Sequence, residues 1–359
     1  MNGVELESAK IKTINKDLND SSSSPIIKIN NLSKHFPIQR GFWSKTTGYV
    51  QSLNNINLEI KKGQTIGIVG ESGCGKSTLG KLIVRLLEPT EGNIIYKGKN
   101  IFELSKKELR DLRQKLQIVF QNPYSSLNPR MRIKDIISEP IIVHKILKDK
   151  KEIELRVNEL LEIVGLESQL REKYPHELSG GQRQRVAIAR ALSLNPEFIV
   201  LDEPVSALDV SVQAQILNLL LDLQKRFDLT YLFISHNLSV VSYISTHITV
   251  MYLGHIVETG PKEEIIKNPK HPYTVALLSA APKIDTEMGR SSDRAKKQRV
   301  ILSGEIPDPS NPPSGCTFRT RCPIAKEKCT IEEPKLTFHG KQFAACHFAG
   351  EFKPESKVT

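Results

Sequence analysis

Long apolar runs are missing from this sequence: none approaches the roughly 18 residues that a membrane-crossing helix needs, although 39% of the 359 residues are hydrophobic. The N-terminus lacks the basic and then apolar character of a secretory signal, carrying instead Glu5, Glu7, Asp17, Asp20 and the serines at 21–24. Together these absences predict a chain that stays in the cytosol, with residues 1 to about 24 as a disordered tail. Cysteine is scarce. Of five in the chain, four fall after residue 315, and in a reducing compartment such clustering argues for metal before disulfide. Charge is not concentrated either. A net +11 is spread along the chain, with one modest cluster at Arg290, Arg294, Lys296, Lys297 and Arg299 that reads as a solvated linker. Diffuse positive charge suits an anionic membrane face as well as it suits nucleic acid.

What the sequence does have is organised around Gly70-Glu71-Ser72-Gly73-Cys74-Gly75-Lys76-Ser77-Thr78. This stretch follows an apolar run at 65–69, expected as a buried parallel strand, and opens a helix carrying Leu79, Leu82, Ile83 and Leu86. The pattern is that of a phosphate-binding loop. Its glycines let several backbone N–H groups converge on one phosphate chain at the positive end of a helix. Lys76 can reach the β and γ phosphates, and the Ser77 hydroxyl can take a position on Mg²⁺.

Residues 26–36 read as a strand ending in Phe36, an aromatic that either closes an edge of the core or stacks on an adenine. Residues 37–49, with Gly41, Trp43 and Gly48, read as a loop before a strand at 56–60. A short strand at 93–96 and a charged helix at 106–115 lead to a buried strand at 116–120. Gln121 follows that strand, at the end where ligands bind in parallel sheets, and its amide could meet Mg²⁺ or an attacking water. From about 123 to 180 the pattern turns helical, as expected of an inserted subdomain. Ser179-Gly180-Gly181-Gln182 then opens a helix. Ser179 suits an N-cap and the glycines leave N–H groups bare for an anion, but no lysine follows, so this is half a phosphate site or a plain cap.

The run at 198–201 is apolar and ends in Asp202-Glu203. An acid pair at the tip of a wholly apolar strand points to a cation site, with Asp202 toward Mg²⁺ and Glu203 toward the attacking water. Ser206-Ala207-Leu208-Asp209, a long helix at 212–226 and a strand at 229–235 bring His236 to the same sheet edge, where it is a candidate for contacting the γ phosphate. Residues 247–257 read as a hairpin turning at Gly254-His255.

In this order, the phosphate loop, the glutamine, Leu178-Ser179-Gly180-Gly181-Gln182, the acid pair, the Ser-Ala-Leu-Asp segment and the histidine resemble the ATP-binding subunits of ABC transporters. The resemblance covers residues 26–260. It implies an α/β P-loop NTPase of the RecA-like type, with an ATP-binding domain at 25–268 and a small cysteine-containing extension at 269–359. It further implies that two such subunits sandwich ATP and Mg²⁺ between the phosphate loop of one and the Ser179–Gln182 turn of the other, and that Phe36 stacks on adenine. His271-Pro272-Tyr273-Thr274 and the segment 315–323 are similar to the oligopeptide and dipeptide importer ATPases. With Cys74 in the loop, the chain looks most like the second of their two unlike ATPase subunits. Such systems join two ATPases to two permeases and an extracytoplasmic binding protein, which implies a peripheral place on the cytoplasmic membrane face and no nucleic-acid partner. Nickel and some sugar importers share the extension. Soluble ABC ATPases acting on ribosomes or DNA usually carry two cassettes or a coiled-coil insertion, and neither is present here.

Cys316, Cys322, Cys329 and Cys346 stand in a segment with little apolar material, which calls for a staple. Four thiolates can hold zinc or a [4Fe–4S] cluster. Neither paired zinc knuckles nor a ferredoxin run is present, so spacing does not choose; the resemblance favours the cluster. Cys74 is expected as a small filler rather than a ligand.

Overall fold

A computed structural model describes residues 24–40, 45–280, 300 and 302–353. Residues 1–23 of the tail expected at 1–24, Gly41 and Trp43, and the basic cluster at 290–299 lie outside the described residues.

The chain begins with a long hairpin, β1 (Ile27–Arg40) and β2 (Lys45–Ile60), paired in register from Ile27↔Ile60 to Arg40↔Lys45. Residues 37–40 and 45–49, expected as loop, are therefore strand. Pro37 lacks a ladder donor, but it lies beyond Ser33, the last β1 residue paired to the strand on its other side, so only one neighbour asks for a bond there. β3 (Thr65–Val69) is buried at all five positions, as a strand covered on both faces must be. It feeds α1 (Lys76–Ile83) through the glycine-rich loop. β4 (Glu91–Tyr96) and β5 (Lys99–Asn100) complete a four-stranded sheet in the order β2-β1-β4-β5. α2 (Lys106–Lys115) starts at a reciprocal cap between Ser105 and Glu108 and runs into β6 (Leu116–Val119).

The helical insertion comprises α3 (Pro123–Ser126), α4 (Ile133–His144), α5 (Lys150–Ile163) and two short 3₁₀ turns. It packs Ile133, Ile136, Ile137, Leu160 and Leu161 onto α6 (Gly180–Leu192). The rest of the cassette is β7 (Phe198–Asp202), α7 (Val210–Phe227), β8 (Thr230–Ser235), α8 (Leu238–Ile244), β9 (His247–Tyr252), β10 (His255–Pro261), α9 (Lys262–Lys267) and α10 (Pro272–Ala280). The β9–β10 turn falls on Leu253-Gly254, one residue earlier than expected. Both residues have positive φ, which a tight two-residue hairpin turn demands.

α11 (Lys328–Ile331), β11 (Thr337–His339) and β12 (Gln342–Ala344) close the chain. β12 pairs with β10, so the extension adds two strands to an eight-stranded sheet of order β11-β12-β10-β9-β3-β8-β7-β6. β9, β3, β8, β7 and β6 are mutually parallel. Phe318 of the extension, 1% exposed, sits in the same core as Tyr252 and Tyr273. The extension thus shares the cassette's core, and this answers the expectation that it needs a staple of its own. Among the described residues, no helix is long and apolar enough to cross a membrane.

Candidate active site

Parallel strands share a carboxyl edge, so β3, β7 and β8 deliver the phosphate loop, the acid pair and His236 to one place. The loop's shape depends on its glycines. Gly73 and Gly75 have φ of 80° and 101°, a region where a side chain is strained. A Cβ on Gly75 would also lie 2.3 Å from the Ser52 carbonyl oxygen, and one on Gly70 would lie 2.2 Å from that of Met251. A Cβ on Gly73 would meet nothing within 4 Å, so this glycine borders open space as the wall of a phosphate cradle should. Lys76 is 5% exposed and its ammonium donates to the carbonyls of Gly70 and Glu71, each at 2.8 Å. Burial pushes the Cys74 thiol's pKa up, and the thiol fills space beside Lys76.

Ser77 Oγ donates to Asp202 Oδ1 at 2.8 Å. Burial pushes the Asp202 carboxyl upward, with the Ser77 bond opposing it and Glu203 adding to it. A hydroxyl and a buried carboxylate are hard oxygen donors of the kind Mg²⁺ takes, and a cation would offset the burial cost. This donor set fits magnesium.

Glu203 follows Asp202 with φ of 47°. Its N–H donates to Ile234 C=O at 3.0 Å, which turns the side chain off the strand line. One carboxylate oxygen, Oε2, accepts from Gln121 Nε2 at 3.0 Å and from His236 Nδ1 at 3.2 Å. The Glu203 side chain is 12% exposed, whereas that of His236 is 57% exposed. Gln121, Glu203 and His236, picked out separately along the sequence, are therefore one hydrogen-bonded group.

Phe36 comes near through register. It pairs with Val50, two residues before Ser52, whose hydroxyl donates to Thr78 Oγ1 at 2.9 Å. The Phe36 ring carries the Lys34 ammonium 5.1 Å from its centroid.

Ser179, Gly180, Gly181 and Gln182 are not joined to this group by any hydrogen bond among the described residues. They form a reciprocal cap at the start of α6: Gln182 N–H donates to Ser179 Oγ at 3.2 Å, and Ser179 N–H donates to Gln182 Oε1 at 2.9 Å. A Cβ on Gly181 would lie 2.6 Å from Val212 Cγ1 of α7, so this glycine also serves a close helix contact. The N–H groups of Gly180 and Gly181 have no intrahelical acceptor, by their position in the first turn.

The four late cysteines lie in one neighbourhood. Cys322, Cys329 and Cys346 all act electrostatically on Cys316, and Cys316 N–H donates to Cys329 C=O at 2.8 Å. Burial pushes the thiol of Cys316 up to about 12, that of Cys322 up to about 11, and that of Cys346 upward as well. The donor chemistry suits a thiolate-bound centre. Yet among the described residues no three Cys, His, Asp or Glu side chains stand as a group that could hold a metal ion. The four thiols are neighbours without forming a closed ligand group as they stand.

Two participants escaped the sequence. Arg321 donates to both carboxylate oxygens of Glu71, at 2.6 and 3.1 Å, and the Tyr273 hydroxyl accepts from Glu71 N–H at 2.9 Å. No spacing rule links positions 250 residues apart.

Residues 53–206 match the ABC transporter family, and residues 257–329 match the oligopeptide/dipeptide transporter C-terminal region. The oligopeptide transport ATP-binding protein AppF of Bacillus subtilis is 49% identical over 329 residues, covering 91% of this chain and 98% of that protein. The dipeptide transport ATP-binding protein DppF of Escherichia coli is 45% identical over 90% of this chain and 94% of its own length. Among solved structures, the dimeric ABC transporter cassette MJ0796 superposes with a TM-score of 0.59 at 32% identity, covering 66% of this chain and 98% of that one. With a phosphate loop, a buried aspartate beside its serine and a glutamate held by glutamine and histidine, this chain belongs to the family of oligopeptide and dipeptide transport ATP-binding proteins, cassettes of the ABC transporter class.

Proposed function

We propose that this chain is an ATPase subunit that powers the import of oligopeptides or dipeptides. The observation that carries the proposal is the assembly at one sheet edge of the phosphate loop, the Ser77–Asp202 pair and the Gln121–Glu203–His236 group. The loop N–H groups and Lys76 bind the triphosphate, and Phe36 stacks on the base. Ser77 and Asp202, with Gln121 at the border, would hold magnesium, which would supply positive charge against that developing on the phosphates. Glu203 orients a water and takes its proton as the water attacks the γ phosphate. Gln121 and His236 fix the carboxylate through Oε2, and His236 donates toward the terminal phosphate. Ser179 to Gln182 serve the site of the opposing subunit; the first-turn N–H groups of Gly180 and Gly181, which have no intrahelical acceptor, support that role.

The working assembly is a pair of ATPases, expected to be unlike, on two permeases with an extracytoplasmic binding protein, at the cytoplasmic face of the membrane. Closure on ATP and release on hydrolysis move the permeases. The relatives' names support the peptide cargo. The division into a cassette at 25–268, with a helical subdomain at 123–180, and an extension at 269–359 belongs to the same reading. Four gathered thiols support a further assignment, a [4Fe–4S] cluster on Cys316, Cys322, Cys329 and Cys346, which requires them to draw closer than they stand. Brown protein absorbing near 400 nm is the expected result; colourless protein with stoichiometric zinc, or with no metal, rejects it.

Phosphate release and nucleotide binding in the assembled transporter test the ATPase reading. Glu203→Gln is expected to keep ATP binding and lose turnover by about 10²–10⁴-fold, while Lys76→Ala weakens binding itself. Unchanged hydrolysis in the Glu203 variant removes it as the base. A mixed dimer with Ser179 altered in one subunit should impair ATP held mainly by the loop of the other; impairment in cis rejects the sandwich.

A further inference from the structure

Glu71, the second residue of the phosphate loop, is held on three sides. Its carboxylate receives both arms of the Arg321 guanidinium, its N–H is bound by the Tyr273 hydroxyl, and its carbonyl accepts from Lys76. Arg321 and Tyr273 belong to the C-terminal extension and not to the nucleotide-binding motifs. Arg321 is 9% exposed and lies over the Tyr252 ring, 5.9 Å from its centroid. Tyr273 is fully buried, and its ring packs against Tyr252 and Phe318. The extension also reaches the loop's flank, where Ile306 to Pro309 line one cleft with Glu71 to Cys74, and Pro309 C=O accepts from Gln51 N–H at 3.0 Å.

A two-armed guanidinium–carboxylate bond fixes direction as well as distance. An isolated loop with two glycines at positive φ has many other conformations open to it. We infer that Arg321 and Tyr273 are positioning residues for nucleotide binding: the C-terminal extension clasps Glu71 in the same chain and holds the phosphate loop, with Lys76, in its receptive shape. The inference deepens the ATPase reading and rests on it. Arg321 touches no nucleotide in this scheme; it acts through Glu71. Loss of the clasp leaves the glycines and Lys76 in place but lets the loop sample other shapes, so apparent affinity falls by the fraction of time spent in them.

The test uses the assembled transporter and a fluorescent ATP analogue. Arg321→Gln is expected to raise the dissociation constant about tenfold, and Arg321→Lys to restore little, because an ammonium cannot make the fork. Glu71→Gln should behave like Arg321→Gln, and the double variant should be no worse than either single one. Tyr273→Phe, which removes one oxygen and keeps the ring, should weaken binding less, and it guards against misfolding of the arginine variants. For each, KM for ATP should rise more than kcat falls. A purely structural bridge would lower the melting temperature with nucleotide affinity unchanged; that result overturns the inference, as do additive effects of Glu71→Gln and Arg321→Gln. Lys76→Ala separates the two failures: if it too leaves binding intact, the phosphate-loop reading falls, not the clasp alone.

Discussion

Glu203 holds a left-handed backbone conformation with φ of 47°, which costs about 1–3 kcal/mol for a residue with a side chain. That cost is offset at the site, where the turned-out carboxylate meets Gln121 and His236. Glycine at this position would relieve the backbone and remove the proposed base, so Glu203→Gly should abolish phosphate release without lowering the melting temperature as an ordinary truncation does. Gly75 poses the opposite case. Gly75→Ala brings a Cβ to 2.3 Å from the Ser52 carbonyl oxygen, and is expected to destabilise by about 2–3 kcal/mol and to abolish ATP binding, read by thermal unfolding and by nucleotide titration. Both residues were legible in the sequence because their chemistry is local: a glycine-rich loop and an acid pair declare themselves within ten positions. Arg321 was not legible, since its meaning lies in a carboxylate 250 residues away.

At the scale of elements, caps and wholly buried strands were readable. The helix expected around 106–115 spans Lys106–Lys115, and its reciprocal Ser105–Glu108 cap gives its start a local cause. The strands at 65–69 and 198–202 declare themselves by their largely apolar runs, the second ending in Asp202. Pro37 and Gly48 signal a loop, while the force that straightens 37–40 and 45–49 is a ladder supplied by the partner strand. The start of α6 has two duties. Ser179→Ala removes the cap and should cost about 1 kcal/mol of stability in the isolated subunit. If ATP turnover in the assembled pair falls far more than such a loss explains, the hydroxyl is acting on nucleotide as well as on its own helix. Ser179→Asn, which can still cap, then separates the two by restoring the melting temperature and not the turnover.

Across the whole molecule, the extension and the cassette meet in a cluster of rings. Phe318 packs edge-on against Tyr252 at 5.1 Å and lies 5.4 Å from both His271 and Tyr273. Phe318→Ala is expected to cost about 3–5 kcal/mol, seen as one shifted unfolding transition rather than selective loss of the extension. His271 is fully buried, its Nδ1 accepts from Tyr273 N–H at 3.1 Å, and burial pushes its pKa down to about 3. The unfolded chain takes up this proton near pH 6.5 and the native chain only near pH 3. Stability from the neutral ring is therefore complete above about 6.5 and declines by up to about 1.4 kcal/mol per pH unit as pH falls toward 3. Glu258 beside it, with its carboxyl pushed up by burial, works in the opposite sense. Urea unfolding of wild type and His271→Gln at pH 7 and 5 isolates the imidazole: the variant should lose less stability between the two.

The pairing of β12 with β10 has a consequence for anyone who trims this protein. Cutting the chain after α9 would strip a row of backbone donors and acceptors from β10 and bare the aromatic wall behind it. Such an unguarded margin invites a second copy to zip onto it. A cassette prepared without residues 268–359 should thus be recovered as insoluble aggregate, however intact its nucleotide motifs.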